Sequence, residues 1–167
     1  INTLISSHIQ NMPKIVKLCT MDNRIGIVFQ KIKGIHMGNF MAQNPSKISK
    51  LITEFSLLHQ KINEIVIDNS DLLINNVNNI KESISKSSCI NELEKKVIIN
   101  YLNATDVKNV CHGDFHPENV LIDSSLNLWV IDWATILICN KMFDIARTYY
   151  ILRYGQSPEK KPIYVKF

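Results

Sequence analysis

The chain has 167 residues, 46% hydrophobic and 20% charged, a balance that excludes a disordered polymer and gives enough length to bury a core without metals or disulfides. A net charge of +4 spread over scattered lysines (Lys14, Lys17, Lys31, Lys33, Lys47, Lys50, Lys61) argues against a nucleic-acid partner, and the absence of an eighteen-residue apolar run argues against a membrane partner. Cys19, Cys89, Cys111 and Cys139 form no CxxC pair, which speaks against a zinc site or disulfide framework and for a reducing, cytoplasmic setting.

In chain order, Ile15–Leu18 and Ile25–Phe29 read as two strands joined by a turn at Met21-Asp22-Asn23-Arg24. Lys33-Gly34 ends this pattern and opens a connector. Asn44 followed by Pro45 reads as a cap with proline in the first helical position, and Ile48, Leu51, Ile52, Phe55, Leu58 and Ile62 then recur at helical spacing to about residue 63. A second helix is expected through Leu72, Leu73, Val77, Ile80 and Ile84. A third carries Leu93, Val97, Ile98, Tyr101 and Leu102, with Asn91 and Glu94 spaced as a capping box. Val120-Leu121-Ile122 and Leu128–Ile131 form a hairpin around a turn starting Asp123-Ser124-Ser125. A last helix, Met142 to Arg153, shows Phe143, Ala146, Tyr149 and Tyr150 at helical period. The expected class is α+β with most of the mass helical.

The segment Cys111-His112-Gly113-Asp114-Phe115-His116-Pro117-Glu118-Asn119 carries the chemistry, together with Trp129-Val130-Ile131-Asp132-Trp133. Asn119 stands just before the first strand of the hairpin and Asp132 just after the second, so hairpin geometry brings them together. An aspartate that takes the proton of an attacking hydroxyl, with an amide and a carboxylate holding hard Mg²⁺, is what phosphoryl transfer needs. Taken singly, each of these residues is an ordinary turn former. The spacing of all three beside apolar strands selects the chemical reading.

His112-Gly113-Asp114, Asn119 and Ile131-Asp132-Trp133 resemble the aminoglycoside phosphotransferase and choline kinase family, which is similar in fold to protein kinases. The resemblance implies a kinase-like C-terminal lobe using ATP or GTP with Mg²⁺ to phosphorylate a hydroxyl of a small molecule. In it, Asp114 is the catalytic base and Asn119 and Asp132 are the metal ligands. Asp144, in Asp144-Ile145-Ala146-Arg147-Thr148, implies a brace for the catalytic loop. Ile27 to Gly34 resembles the last N-lobe strand and hinge, which implies that the Gln30 carbonyl and Ile32 N–H meet the nucleotide base above an apolar floor of Leu121 and Ile131. Residues 1–30 are then a remnant of the N-lobe and residues 31–167 the hinge and helical lobe. No glycine-rich loop or strand lysine precedes Ile15, and with no initiator methionine and an abrupt end at Phe167 the chain reads as a piece of something longer.

The stretch Ala134 to Lys141 departs from the family by lacking its acidic residue and Gly-Asp/Asn-Pro turn. Two other classes stay open at this point. His112, Asp114 and His116 alternate, so in an extended segment they could share one metal as in a hydrolase. A non-catalytic pseudokinase or gene fragment is the other. His59 reads as a satisfied core histidine.

Overall fold

The computed structural model describes residues 9–67, 77–104 and 108–155. Their strands are β1 (Ile15–Met21), β2 (Arg24–Phe29), β3 (Gly34–His36), β4 (Asn109–Cys111), β5 (Val120–Asp123), β6 (Leu128–Val130) and β7 (Leu137–Cys139). Their helices are α1 (Met37–Gln43), α2 (Ile48–Asn63), α3 (Val77–Lys86), α4 (Glu92–Ala104) and α5 (Lys141–Tyr154), with single 3₁₀ turns at Pro45–Lys47, Pro117–Asn119 and Trp133–Thr135. The strands pair as three small sheets, β1-β2, β3-β5-β6 and β4-β7, all antiparallel. The α+β, mainly helical expectation holds. No helix among the described residues is long and apolar enough to cross a membrane.

Asp22 and Asn23 both take positive φ (50° and 58°), the two-residue turn whose twist suits a tight hairpin. That turn carries β1 on to Met21, beyond the expected Leu18. Val16, Leu18 and Ile25 stand 64%, 67% and 82% exposed, so the hairpin buries little of its own apolar surface.

Gly34 corrects the reading of a connector. It opens β3 opposite Asp123, and a Cβ there would lie 2.7 Å from the Ile122 carbonyl oxygen, so only glycine permits this close pairing. The short helix α1 that follows, with Met37 and Met41 buried, has too few turns to leave a period in the sequence.

The expected Asn44 cap is also corrected. Its side chain donates backwards to the Phe40 carbonyl (2.9 Å) instead of capping forwards, and Pro45 begins a 3₁₀ turn before α2 proper. The inward stripe of α2 is Leu51, Phe55 and Ile62, joined by His59 and Asn63. Asn91 and Glu94 form the expected reciprocal box, at 2.9 and 3.0 Å.

The apolar faces assigned to the later helices need correction. Leu72 and Leu73 lie outside the described residues. Leu93, Val97 and Tyr101 are exposed because no described element packs on that side of α4; Leu102, with Ile80 of α3 and Phe143 of α5, packs on a small cluster of Cys111, Leu137 and Cys139. In α5 the buried residues are Asp144 and Thr148, while Ala146, Tyr149 and Tyr150 face outward. Phe143 packs on the small cluster and Leu152 on the main core, but the most deeply buried side chain of that helix is the polar Asp144. The main core joins Met37, Met41, Phe55 and Ile62 to Val110, Phe115, Val120 and Val130.

Candidate active site

The loop from His112 to Asn119 leaves the end of β4 and is fixed from below by Asp144. One carboxylate oxygen accepts from the His112 N–H (3.0 Å), Asn63 Nδ2 (2.8 Å) and His59 Nε2 (2.9 Å); the other accepts from the Gly113 N–H (2.8 Å). Burial pushes the Asp144 carboxyl up, but these donors outweigh it and hold it below the usual carboxylate range. The brace expected of Asp144 is therefore built, and His59 is the satisfied core histidine expected, stacked on Phe115 at 4.3 Å.

Gly113 takes φ +78°, where a side chain would meet the Thr135 carbonyl. His112 is fully buried. Its Nε2–H donates to the Ile131 carbonyl (3.0 Å) and its Nδ1 accepts from the Asp114 N–H (3.3 Å), so burial holds the ring neutral and its pKa low. Both ring nitrogens are spent inside the protein. The hydrolase reading fails on this point: neither His112 nitrogen is left for a metal, and no group of three His, Cys, Asp or Glu among the described residues is placed to hold one.

Asp114, a third exposed, sits among three side chains. Asn119 Nδ2 donates to its Oδ2 (3.1 Å) and its backbone carbonyl (2.9 Å). His116 Nε2 lies 3.4 Å from Oδ2 and Arg147 Nη2 3.9 Å from Oδ1. Arg147 also donates through Nε to the Gly113 carbonyl. With Nδ2 committed to Asp114, the acceptor end of the Asn119 amide is its oxygen.

The Asn119 carbonyl accepts from the Ile131 N–H (3.0 Å), so Asn119 pairs across the hairpin with the residue before Asp132. Asp132 is exposed and left-handed (φ 57°), a conformation aspartate tolerates, and it starts the Trp133–Thr135 turn. At the hairpin's other end Asp123 accepts from Trp129 Nε1, Asn127 and Ser125, and these bonds, Trp129 first, bring its pKa down to about 2.

Asp132 lines a cavity of about 740 Å³ with Gln30, Ile32, Leu121 and Ile131, the residues expected at hinge and floor. Ile15, Ile27 and Phe29 of the first hairpin close it on another side. The volume is that of an ordinary small-molecule site. Asp114 and Asn119 thus stand in the His112–Asn119 loop, and Gln30, Ile32, Leu121, Ile131 and Asp132 on this cavity.

Two contributors escaped sequence reasoning. Asn63 stands one turn after His59 on an otherwise apolar stripe, and a polar i, i+4 pair there was the available signal. Arg147 lies three residues after Asp144, the spacing that puts both on one side of α5. The unfamiliar stretch after Asp132 is β7, which pairs with β4 and holds the root of the loop.

The phosphotransferase enzyme family matches residues 76–164, more than half of the chain. A protein of Clostridium pasteurianum, described as an uncharacterized protein in the hydrogenase 1 5′ region, is 27% identical over 136 residues, covering 81% of this chain and 24% of its own length. Among solved structures, a thermostable mutant of aminoglycoside phosphotransferase APH(4)-Ia superposes with a TM-score of 0.61 at 10% identity, over 89% of this chain and 59% of that one. A further structure of that mutant is a ternary complex with ADP and hygromycin B, with a TM-score of 0.60 at 10% identity over the same shares of the two chains. Aminoglycoside phosphotransferase APH(3'')-Id from Streptomyces rimosus, in complex with ADP and streptomycin, gives 0.56 at 12% identity, over 95% and 67%. The chain spans about a quarter of the Clostridium protein and about three fifths of APH(4)-Ia.

Proposed function

The chain belongs to the phosphotransferase enzyme family, and from that premise we propose that it carries the metal and base side of an ATP-dependent phosphotransferase acting on a hydroxyl of a small molecule. One observation carries the reading: Asn119 is hydrogen-bonded through its amide to Asp114 and through its backbone carbonyl to Ile131, which with Asp132 lines the Gln30, Ile32 and Leu121 cavity.

Asp114 is the base. Its carboxylate receives the acceptor's hydroxyl proton as the oxygen–phosphorus bond forms and the bond from the γ-phosphorus to ADP breaks. Asn119 holds Asp114 in place, and Arg147 keeps positive charge beside the loop. The cavity takes the nucleotide base, with the Gln30 carbonyl and Ile32 N–H as its polar contacts and Leu121 and Ile131 as its floor; guanine in place of adenine is the variant to be tested. An amide oxygen and a carboxylate are the hard donors that suit Mg²⁺, so Asn119 and Asp132 would hold it, and the ion supplies neutralisation of phosphate charge. The buried thiols do not compete: burial, reinforced at Cys111 by nearby Asp144, pushes Cys111 and Cys139 up, away from the thiolate form metals prefer. All four cysteines are free, which fits a reducing cytoplasm where ATP is available.

Calorimetric titration with MgATP tests the proposal. The parent chain should bind in a Mg²⁺-dependent manner and Asp132→Ala should lose that dependence. Equal MgATP binding by both removes Asp132 from the metal site.

A further inference from the structure

A second cavity, of about 570 Å³, meets the His112–Asn119 loop at Gly113 and Arg147. Arg147 reaches from its rim to within 3.9 Å of Asp114. Its walls are Ile80 and Ile84, one turn apart on α3, with Leu137 of β7 and Phe143 of α5. Two of its hydroxyls are already donors to the backbone: Ser83 to the Asn79 carbonyl (2.9 Å) and Thr135 to the His112 carbonyl (3.0 Å). Apolar side chains are left to make most of the contact with an occupant.

Among the described residues that line it, Arg147 alone is charged, and it is cationic. Of the carboxylates beside it, Asp144 is spent on the loop N–H groups and Asp114 is offset by Arg147 itself. A polycation entering here would give up hydration for ammonium groups, meet one guanidinium, and find no carboxylate among the described residues of the wall to pair with. An apolar body with a hydroxyl loses none of this, and an anionic substituent gains a charge-assisted hydrogen bond from Arg147.

We infer that the acceptor is a hydroxyl compound with an apolar body and no net positive charge, seated between α3 and Arg147, and not a polycationic aminoglycoside. This rests on the phosphotransferase reading, because it assigns that enzyme's second substrate.

Three compounds of one shape test it on the full chain: 3-phenyllactate (anionic), 3-phenylpropane-1,2-diol (neutral) and phenylalaninol (cationic), with streptomycin and hygromycin B alongside. Binding is followed by amide shifts at Gly113 and Ile84. The anion should bind at least about tenfold more tightly than the amine and both antibiotics, since one charge-assisted hydrogen bond is worth about that factor or more, and the diol should also bind more tightly than those three because it buries no ammonium group. Ser83→Asp, an exposed change on α3, should narrow or reverse the order by placing a carboxylate in the cavity. Tighter binding of the amine or either antibiotic to the parent would overturn the inference. So would failure of both the anion and the diol to bind at millimolar concentration, or an order untouched by Ser83→Asp. MgATP titrated in parallel separates the two readings: a reversed acceptor order with intact nucleotide binding sinks the inference alone, and lost nucleotide binding sinks the phosphotransferase reading.

Discussion

Replacing Asp144 by alanine removes the one group that accepts from two loop N–H donors, His112 and Gly113, and from Asn63 and His59 at 2.8–3.0 Å. Asp144 is fully buried, so no water stands ready to take its place. Each loop N–H left without a partner costs about 1–3 kcal/mol. Relief from desolvating the carboxylate, and re-pairing of Asn63 and His59, offset part of the sum, which leaves about 3–5 kcal/mol, the usual cost of breaking a buried charged pair. Against a total stability of about 5–15 kcal/mol this is a large fraction, and at about 2–4 °C per kcal/mol for a chain of this size the melting point should fall by roughly 10 °C. Asp144→Asn should lose nearly as much, because its amide turns one acceptor into a donor facing donors. Urea and thermal unfolding followed by circular dichroism measure both variants. A loss below about 1 kcal/mol for Asp144→Ala would show that the loop does not depend on this anchor.

Thr148, buried one turn after Asp144, has a hydroxyl without a hydrogen-bond partner among the described residues. Thr148→Val keeps its shape, so stability should hold or rise by up to about 1 kcal/mol, and a clear loss in the same urea titration would reveal a partner for the hydroxyl. Asp144 and His112 both have folded pKa values below their ordinary ones, so each contributes stability above its unfolded value and loses it as pH falls through the folded value. Urea midpoints should be level above about pH 6.5, decline below it as His112 is forced to charge, and drop again below about pH 4 as Asp144 protonates; midpoints that rise from pH 7 to pH 5 would contradict this. Asp114→Asn should leave nucleotide affinity nearly unchanged and slow phosphoryl transfer by about 10²–10⁴-fold in an active full-length form, and near-normal turnover would remove Asp114 as base.

The site was legible because its residues are close in sequence: Asp114 and Asn119 share one loop, and a single hairpin brings Asp132 to them. What was hidden depends on contacts between distant residues. Asp144 meets Asn63 across 81 positions and His59 across 85, and no local period announces such a pair. Strands β4 and β7 are three residues each, too short to show alternation, and only their pairing through Val110 and Ile138 makes them strands. Gly34 read as a breaker because its role is a close approach to Ile122, which only the folded chain reveals. On α5 the aromatic stripe at helical spacing misled in part: Phe143 packs inward as expected, but Tyr149 and Tyr150 face outward, because the side that turns in carries the buried Asp144 and Thr148.

A nucleotide seated between the Gln30–Ile32 segment and the Leu121–Ile131 floor, with its metal at Asp132, can be located directly. Backbone amide shifts recorded while MgATP is added report the place of binding residue by residue, even at weak affinity. The largest shifts are expected at Ile32, Leu121, Ile131 and Asp132, vanishing when the magnesium is chelated. Shifts centred instead on Met41, Phe55 and Leu152, which line another cavity of about 690 Å³ between α1, α2 and α5, would contradict it.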